Sequence, residues 1–363
     1  MHPTFHFSVI ACTAMCAAGA HAQTNVQIYG RLNVSVERVE TSANSAGRDV
    51  SLSRLSNNRS VLGFRGTEDL GGGLKAIFQI EGTISPDTGA GAIAQRDTRV
   101  GLQGEFGTVF VGHWVTAYNG ATSGLDPFYP TTAGYMSIMG NGSASSVDNV
   151  NDTASFDRRQ ANSVHYWTRP WNGVTLRLTH GLNEERPANG AKPSLTSLAG
   201  IYEQGPWYAT LAHERHHEYQ GPGRNDTGTK IGLAYKFGNT RIAGVAEKLK
   251  YETATGDLEQ TAYYLSLTHQ IGPHGLRAGV ARTSGGKGAS TSNIGYLLGG
   301  PDTGATHATL GYEYTLSKRT SVYAYYTHLD NERNAVHDFA INSLTVGPGA
   351  TLKGAALGLR HGF

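Results

Sequence analysis

Side chains able to do chemistry are scattered along this chain, and only two clusters of them have a suggestive spacing. His213-Glu214-Arg215-His216-His217 matches H-E-x-x-H, in which two histidines one helical turn apart hold zinc while the glutamate acts as base. The residues before it, Trp207-Tyr208-Ala209-Thr210-Leu211-Ala212, alternate as a strand does. In an extended chain His213 and His217 stand about 13 Å apart, at roughly 3.3 Å per residue. Zinc needs both nitrogens at about 2.1 Å. Catalysis is therefore not expected here, and only a bend after Glu214 would make even an adventitious metal site. Gly285-Gly286-Lys287-Gly288 has the composition of a phosphate loop without its spacing or its strand-loop-helix setting, and reads as an outer loop. No Ser/His/Asp constellation stands out, because such groups meet only in the fold.

A different pattern carries more. Arg31, Arg65, Lys75, Arg99, Arg177, Lys236 and Arg360 each alternate with apolar or aromatic residues, among them Phe64, Phe78, Leu176, Leu178, Tyr235, Phe237 and Leu359. Period-2 alternation puts the charges on one face of a strand and the apolar groups on the other. Charged inward positions demand a wet interior. A soluble sheet with one solvated face would alternate in the same way.

The elements that position these residues decide between the two. About sixteen alternating segments are read, at 25–38, 59–67, 73–84, 96–104, 107–115, 162–168, 173–181, 197–204, 206–215, 228–237, 240–250, 259–270, 274–282, 305–315, 320–329 and 353–363. Their connections alternate short and long. Short turns include Asp69-Leu70-Gly71-Gly72, Gly104-Glu105-Phe106-Gly107, Gly238-Asn239 and Gly272-Pro273. Long loops are expected at 39–58, 85–95, 116–161, 182–196, 216–227, 251–258, 283–304 and 330–352. A sandwich has no reason to sort its loops by parity, whereas an up-and-down membrane barrel has short turns on one rim and long loops on the other. The fold class is all-β: a transmembrane antiparallel up-and-down β-barrel of about 16 strands.

Composition agrees. The 363 residues include 48 glycines and carry a net charge of +2, without the basic excess of a nucleic-acid binder. No long apolar run follows the N-terminus, which excludes a helical membrane protein but not a barrel. Phe7 to Ala20 reads as the apolar core of a secretory signal, and Ala20-His21-Ala22 as its cleavage site, giving a cleaved segment 1–22 and a barrel domain 23–363. Val9-Ile10-Ala11-Cys12 loosely fits a lipobox. With cleavage after Ala22, the two cysteines, Cys12 and Cys16, would both be removed.

Several stretches then carry a family likeness. They are Gln27-Ile28-Tyr29-Gly30, Leu62 to Ala76 (LGFRGTEDLGGGLKA), Val100 to Val109 (VGLQGEFGTV), Leu316-Ser317-Lys318-Arg319-Thr320, and Gly358-Leu359-Arg360-His361-Gly362-Phe363. Over nearly its whole mature length the chain resembles the trimeric general-diffusion porins of β-proteobacteria, the Neisseria and Comamonas type. The resemblance implies a homotrimer in the outer membrane of a Gram-negative bacterium, in contact with its lipid and lipopolysaccharide. Inserted by the barrel-assembly machinery, it would pass small hydrophilic solutes and ions without a cofactor or metal. Phe363 with Leu359 and Leu357 looks like the barrel-insertion signal.

The resemblance also implies that the long third loop, 116–161, folds into the lumen and narrows it. Acidic residues of that loop would face basic residues of the wall. Asp126, Asp148, Asp152 and Asp157 are the loop candidates, Asp126 foremost. On the wall, Arg31 and Arg159 match positions that are basic in many porins. Val61 and His113 stand where arginine is usual, with Arg59 two residues from Val61 and Arg65 further along the same strand. A weakened ring of cations implies a weak anion preference, and His113 implies that it strengthens as pH falls. A substrate-specific channel with Tyr29, Trp114 and Trp167 as a sliding surface for sugars is an alternative. Others are a barrel enzyme, which would need a nucleophile and base at the rim, and a soluble lectin-like adhesin.

Overall fold

The structure, a computed structural model, describes residues 25–363. The cleaved segment expected at 1–22 lies outside the described residues. Sixteen antiparallel barrel strands follow in chain order: β1 (Asn25–Thr41), β2 (Val50–Asn57 continued by Val61–Gly71), β3 (Leu74–Ser85), β4 (Ala90–Ala92 continued by Thr98–Gly104), β5 (Gly107–Val115), β6 (Arg158–Trp167), β7 (Val174–Gly181) and β8 (Ser194–Gln204). After them come β9 (Trp207–His217), β10 (Asn225–Phe237), β11 (Thr240–Thr253), β12 (Gly256–Ile271), β13 (His274–Thr283), β14 (Ala305–Thr315), β15 (Thr320–Asn331) and β16 (Thr351–Gly362).

Each strand pairs with its chain neighbours, and β16 returns to β1 over a register running from Arg31↔Gly362 to Thr41↔Leu352. Among the described residues the sheet closes on itself, as a spanning structure in hydrocarbon requires, and the segments Val50–Asn57 and Ala90–Ala92 at the long-loop rim pair on one side. The faces sort as the alternation demands. Along β1, Asn33, Ser35, Glu37 and Val39 are buried inward while Val36 is 63% exposed. Leu310 and Leu357 are each 67% exposed and Leu265 55%. This apolar outer band suits lipid and would aggregate in water. Phe106, Trp171, Trp207 and Phe237 gather at the short-turn rim, the place of an aromatic girdle.

Strands run further toward the long-loop rim than the alternation reveals. The connection expected at 39–58 shrinks because β2 begins at Val50. The one expected at 251–258 is a tight hairpin through Ala254 and Thr255, so the short-long alternation fails at that connection. In these rim segments charge replaces apolar residues on the outer face: Lys248 pairs with Glu259 and Lys250 with Asp257 across the hairpin, and Lys250 also with Glu252 on its own strand.

The packed core lies inside the barrel. Residues 116–157 enter the lumen as a loop containing a short helix, α1 (Ala117–Thr122), and bury Tyr118, Ile138, Met139 and Phe156. Two outer connections close over it. The His337 ring donates through Nδ1 to the Ser137 carbonyl at 3.1 Å, and the Tyr296 amide donates to Asn141 Oδ1 at 2.8 Å.

Candidate pore constriction

The inner loop is fastened most densely along β7 to β13, with further bonds from Thr132 to Glu37 on β1 and from Thr309 on β14 to the Ala133 carbonyl. Its first turn is held where the Ala117 amide donates to Thr179 Oγ1 on β7 and the Tyr118 amide to Ser197 Oγ on β8. Tyr208 on β9 donates to the Ala121 carbonyl at 2.6 Å, and Ser266 on β12 to the Leu125 carbonyl at 2.8 Å. The strongest anchor is Glu247 on β11. It accepts from the Gly140 amide at 2.7 Å and from the Tyr118 hydroxyl at 2.8 Å, while Lys230 on β10 stands 3.9 Å from the centre of the Tyr118 ring. Arg277 on β13 donates to the Pro127 carbonyl at 2.8 Å.

With the loop lying against β7 to β13, the facing wall is formed by the early strands, and that wall is cationic. β2 is interrupted at Asn58 to Ser60, because Asn58 turns inward to bond Ser35 Oγ and the Tyr323 hydroxyl while Ser60 Oγ receives the Asn33 amide. Arg59 takes a left-handed φ of 56° at this break. It reaches across to the loop, donating to the Tyr129 hydroxyl at 3.1 Å and to Ser143 Oγ at 2.6 Å. Arg31 on β1 donates to the Arg59 carbonyl at 3.0 Å and has Arg360 as a cationic neighbour. Arg96, in the break of β4, is paired with Glu81 at 2.8 Å, and Arg159 on β6 with Asp97 at 2.6 Å. Four guanidiniums, those of Arg31, Arg59, Arg96 and Arg159, thus stand against two carboxylates, Glu81 and Asp97. Arg277 and Arg360 share Glu313 nearby.

Of the residues expected at the constriction, Arg31, Arg59 and Arg159 are brought together. His113 sits at the irregularity where the pairing of β5 with β6 shifts, and its ring is engaged by the backbones of Arg96 and Arg159. Arg65 is four residues further along β2 than Val61, bonded to Gln27 and stacked at 4.9 Å on Tyr29. That is about 13 Å nearer the short-turn rim.

Of the loop carboxylates, Asp126 and Asp148 are bonded to the loop's own amides, whereas Asp157 has Arg59 and Arg159 of the wall as electrostatic partners. Asp126 lies beneath the loop, accepting from the Phe128 and Tyr135 amides and from the Tyr264 hydroxyl, and burial pushes its pKa up to about 6. Asp148 closes a local turn with the amides of Val150 and Asn151, which hold it below its ordinary value despite its partial burial. Asp157 is buried at the end of the loop, and burial raises it. Opposite Arg59 the loop presents hydroxyls, Tyr129 and Ser143. A short polar side chain in an inner loop is as apt to bond the loop's own amides as to face the lumen, and sequence gives no sign of which.

Arg96, Asp97 and Glu81 were not foreseen as site residues. Glu81 was legible from parity, sharing the inward face of β3 with Lys75 and Gln79. Arg96 and Asp97 sit in a strand break, where alternation carries no signal. The zinc-type motif is divided by the strand: His213 bonds Thr229 and His217 bonds Asn225, while Glu214 is buried on the opposite face with His216 at 2.9 Å.

The chain is similar to known outer-membrane proteins over most of its length. A family model described as Gram-negative porin matches residues 8–334. Outer membrane porin protein 32 of Delftia acidovorans is 28% identical over 369 residues, covering 98% of this chain and 99% of that protein. Major outer membrane protein P.IB of Neisseria lactamica is 26% identical over 339 residues, 86% of this chain and 90% of that protein. Among solved structures, an anion-selective porin from Comamonas acidovorans superposes with a TM-score of 0.79 at 24% identity, over 94% of this chain and 100% of that one. OmpT of Vibrio cholerae in its trimer form gives a TM-score of 0.66 at 15% identity, over 94% and 99%. The structural likenesses concern the fold.

Proposed function

This chain belongs to the Gram-negative porin family, and we propose that its outer-membrane channel passes small hydrophilic solutes and ions by passive diffusion with a preference for anions. The observation that carries the preference is the constriction wall, where Arg31, Arg59, Arg96 and Arg159 outnumber Glu81 and Asp97 and still exceed the acids when the buried loop residue Asp157 is counted. A ring of fixed cations in a narrow pore attracts anions and repels cations. His113 and Arg65 take secondary parts, the first beside Arg159 and the second on the way out.

The working form is a homotrimer embedded in outer-membrane lipid and lipopolysaccharide. Residues 1–22 are the export signal. Leu357, Leu359 and Phe363, on the lipid face of the last strand, serve the barrel-assembly machinery. Catalysis has no part in this reading. Planar-bilayer conductance across a KCl gradient tests it: stepwise openings in threes with a chloride-directed reversal potential are expected. A potential directed toward potassium would remove the anion preference, and a folded barrel without openings would remove the channel.

A further inference from the structure

A second cationic place lies between the constriction and the short-turn mouth. Gln27, Arg65, Gln79 and Arg99 are register partners in one row across β1 to β4. Amide and guanidinium alternate along it. Adjacent strands are about 4.8 Å apart, so the two guanidinium-bearing positions are separated by about 10 Å. The row lines a cavity of about 570 Å³ that Gln103 and Trp167 complete, a size usual for a small-molecule site.

Aromatic rings hold the two arginines in place. Arg65 stacks on Tyr29, and Arg99 lies within 4.3 Å of the centre of Trp114, 4.8 Å of Phe110 and 5.3 Å of Trp167. The neighbour of Arg99 on β5 is Gly112, which leaves the side chain room to cross toward those rings. Rings fix a guanidinium without neutralising it.

Neither arginine has a carboxylate partner within ion-pair distance among the described residues. Arg65 is bonded to Gln27. Nε and Nη1 of Arg99 are buried without any hydrogen-bond partner, leaving Nη2 as the accessible edge toward the cavity. The nearest carboxylate on this wall, Asp97, is taken by Arg159. No carboxylate among the described residues pairs directly with either guanidinium, Asp97 acting on Arg99 only from a distance, and the groups around them are amides suited to hydroxyls.

We propose that this row is a binding subsite for a small organic anion that carries a carboxylate and several hydroxyls, with Arg99 taking the carboxylate and Gln27, Gln79 and Gln103 the hydroxyls. It rests on the channel reading above and gives that channel a class of preferred solute. A halide would use the charge and leave the amides idle, and a neutral sugar would leave the charge idle. Because short turns face the periplasm, solute released inward from the constriction meets this subsite last.

Gluconate is the probe, with acetate and sorbitol as its charged and hydroxylated halves. Each is added on the short-turn side of single channels conducting KCl, and the concentration that halves the current is read. Gluconate is expected to block saturably at concentrations about tenfold lower than acetate, equivalent to about 1.4 kcal/mol, and sorbitol not to block. Arg99→Gln and Gln79→Leu, the second leaving charge unchanged, should each raise the gluconate value by about tenfold or more, as expected for losing a charged or buried polar contact. Equal potency of gluconate and acetate overturns the proposal. So does unaltered gluconate block in both variants while their KCl conductance is normal. Loss of KCl conductance in the unmodified protein would instead refute the channel itself.

Discussion

Replacing Arg59 by glutamine tests the constriction most directly. Arg59 is held by Tyr129 and Ser143 and, among the described residues, has no carboxylate within ion-pair distance, Asp157 acting on it from further away. Its removal lowers the excess on that wall from four guanidiniums over two carboxylates to three over two. For an ion passing about 5 Å away in water, one unit charge is worth about 0.8 kcal/mol. At 0.1 M salt, screening over a Debye length of about 10 Å reduces this to roughly 0.5 kcal/mol. The loss acts on chloride and potassium with opposite signs, so their permeability ratio should fall by about fivefold. The assay is the reversal potential of single channels across a tenfold KCl gradient. Arg59→Lys keeps the charge and should keep most of the ratio. An unchanged reversal potential in Arg59→Gln, or an equal shift in both variants, would refute the assignment of selectivity to fixed charge at this position.

Three further outcomes are expected. Glu247→Ala strips the Gly140 amide and the Tyr118 hydroxyl of their acceptor and leaves Lys230 short of its nearest anion, so it should destabilise the folded state by about 3 kcal/mol; the measurements are thermal unfolding and single-channel current noise, which should rise as the loop loosens. Asp126 has its pKa raised from 3.8 to about 6 by burial, so its contribution to stability is fully present below about pH 4 and is lost as pH rises through 6; the fall in thermal stability between pH 4 and 6 should flatten in Asp126→Asn. Gly30→Ala places a methyl group 2.4 Å from the Phe363 ring and 2.7 Å from the Val61 carbonyl. It should cost about 1–3 kcal/mol, read as a lower temperature of heat modification on gels.

Strand identity was legible because the lipid and lumen faces impose opposite chemistry on successive residues, as in Val36 beside Glu37. Beyond the lipid band, as along Lys248 to Glu259, the outer face is charged while Leu249, Tyr251 and Leu258 are buried on the other, so the lipid-facing signal disappears and the strand reads as loop. Arg31 and Arg159 were named from the resemblance, and the fold brings them together with Arg59 and Arg96. Asp126 differs from its expected place, because it is spent on the loop's own amides and on Tyr264, a partnership between residues 138 positions apart. Arg59 escapes the alternation because it belongs to a break in β2, created by Asn58 and Ser60 bonding inward across the sheet. Such breaks arise from long-range partners that a local pattern does not contain.

The pairing of β1 with β16 has a consequence for the order of events during biogenesis. Gly30 and Phe363 exchange both of their backbone hydrogen bonds at 3.1 Å, so the seam joins the earliest spanning strand to the latest. Until β16 is delivered, β1 exposes a row of unmet donors and acceptors to hydrocarbon or to another chain. A polypeptide stalled anywhere before β16 can form hairpins but not a sealed wall. The seam therefore makes closure of the wall wait on the arrival of the final strand.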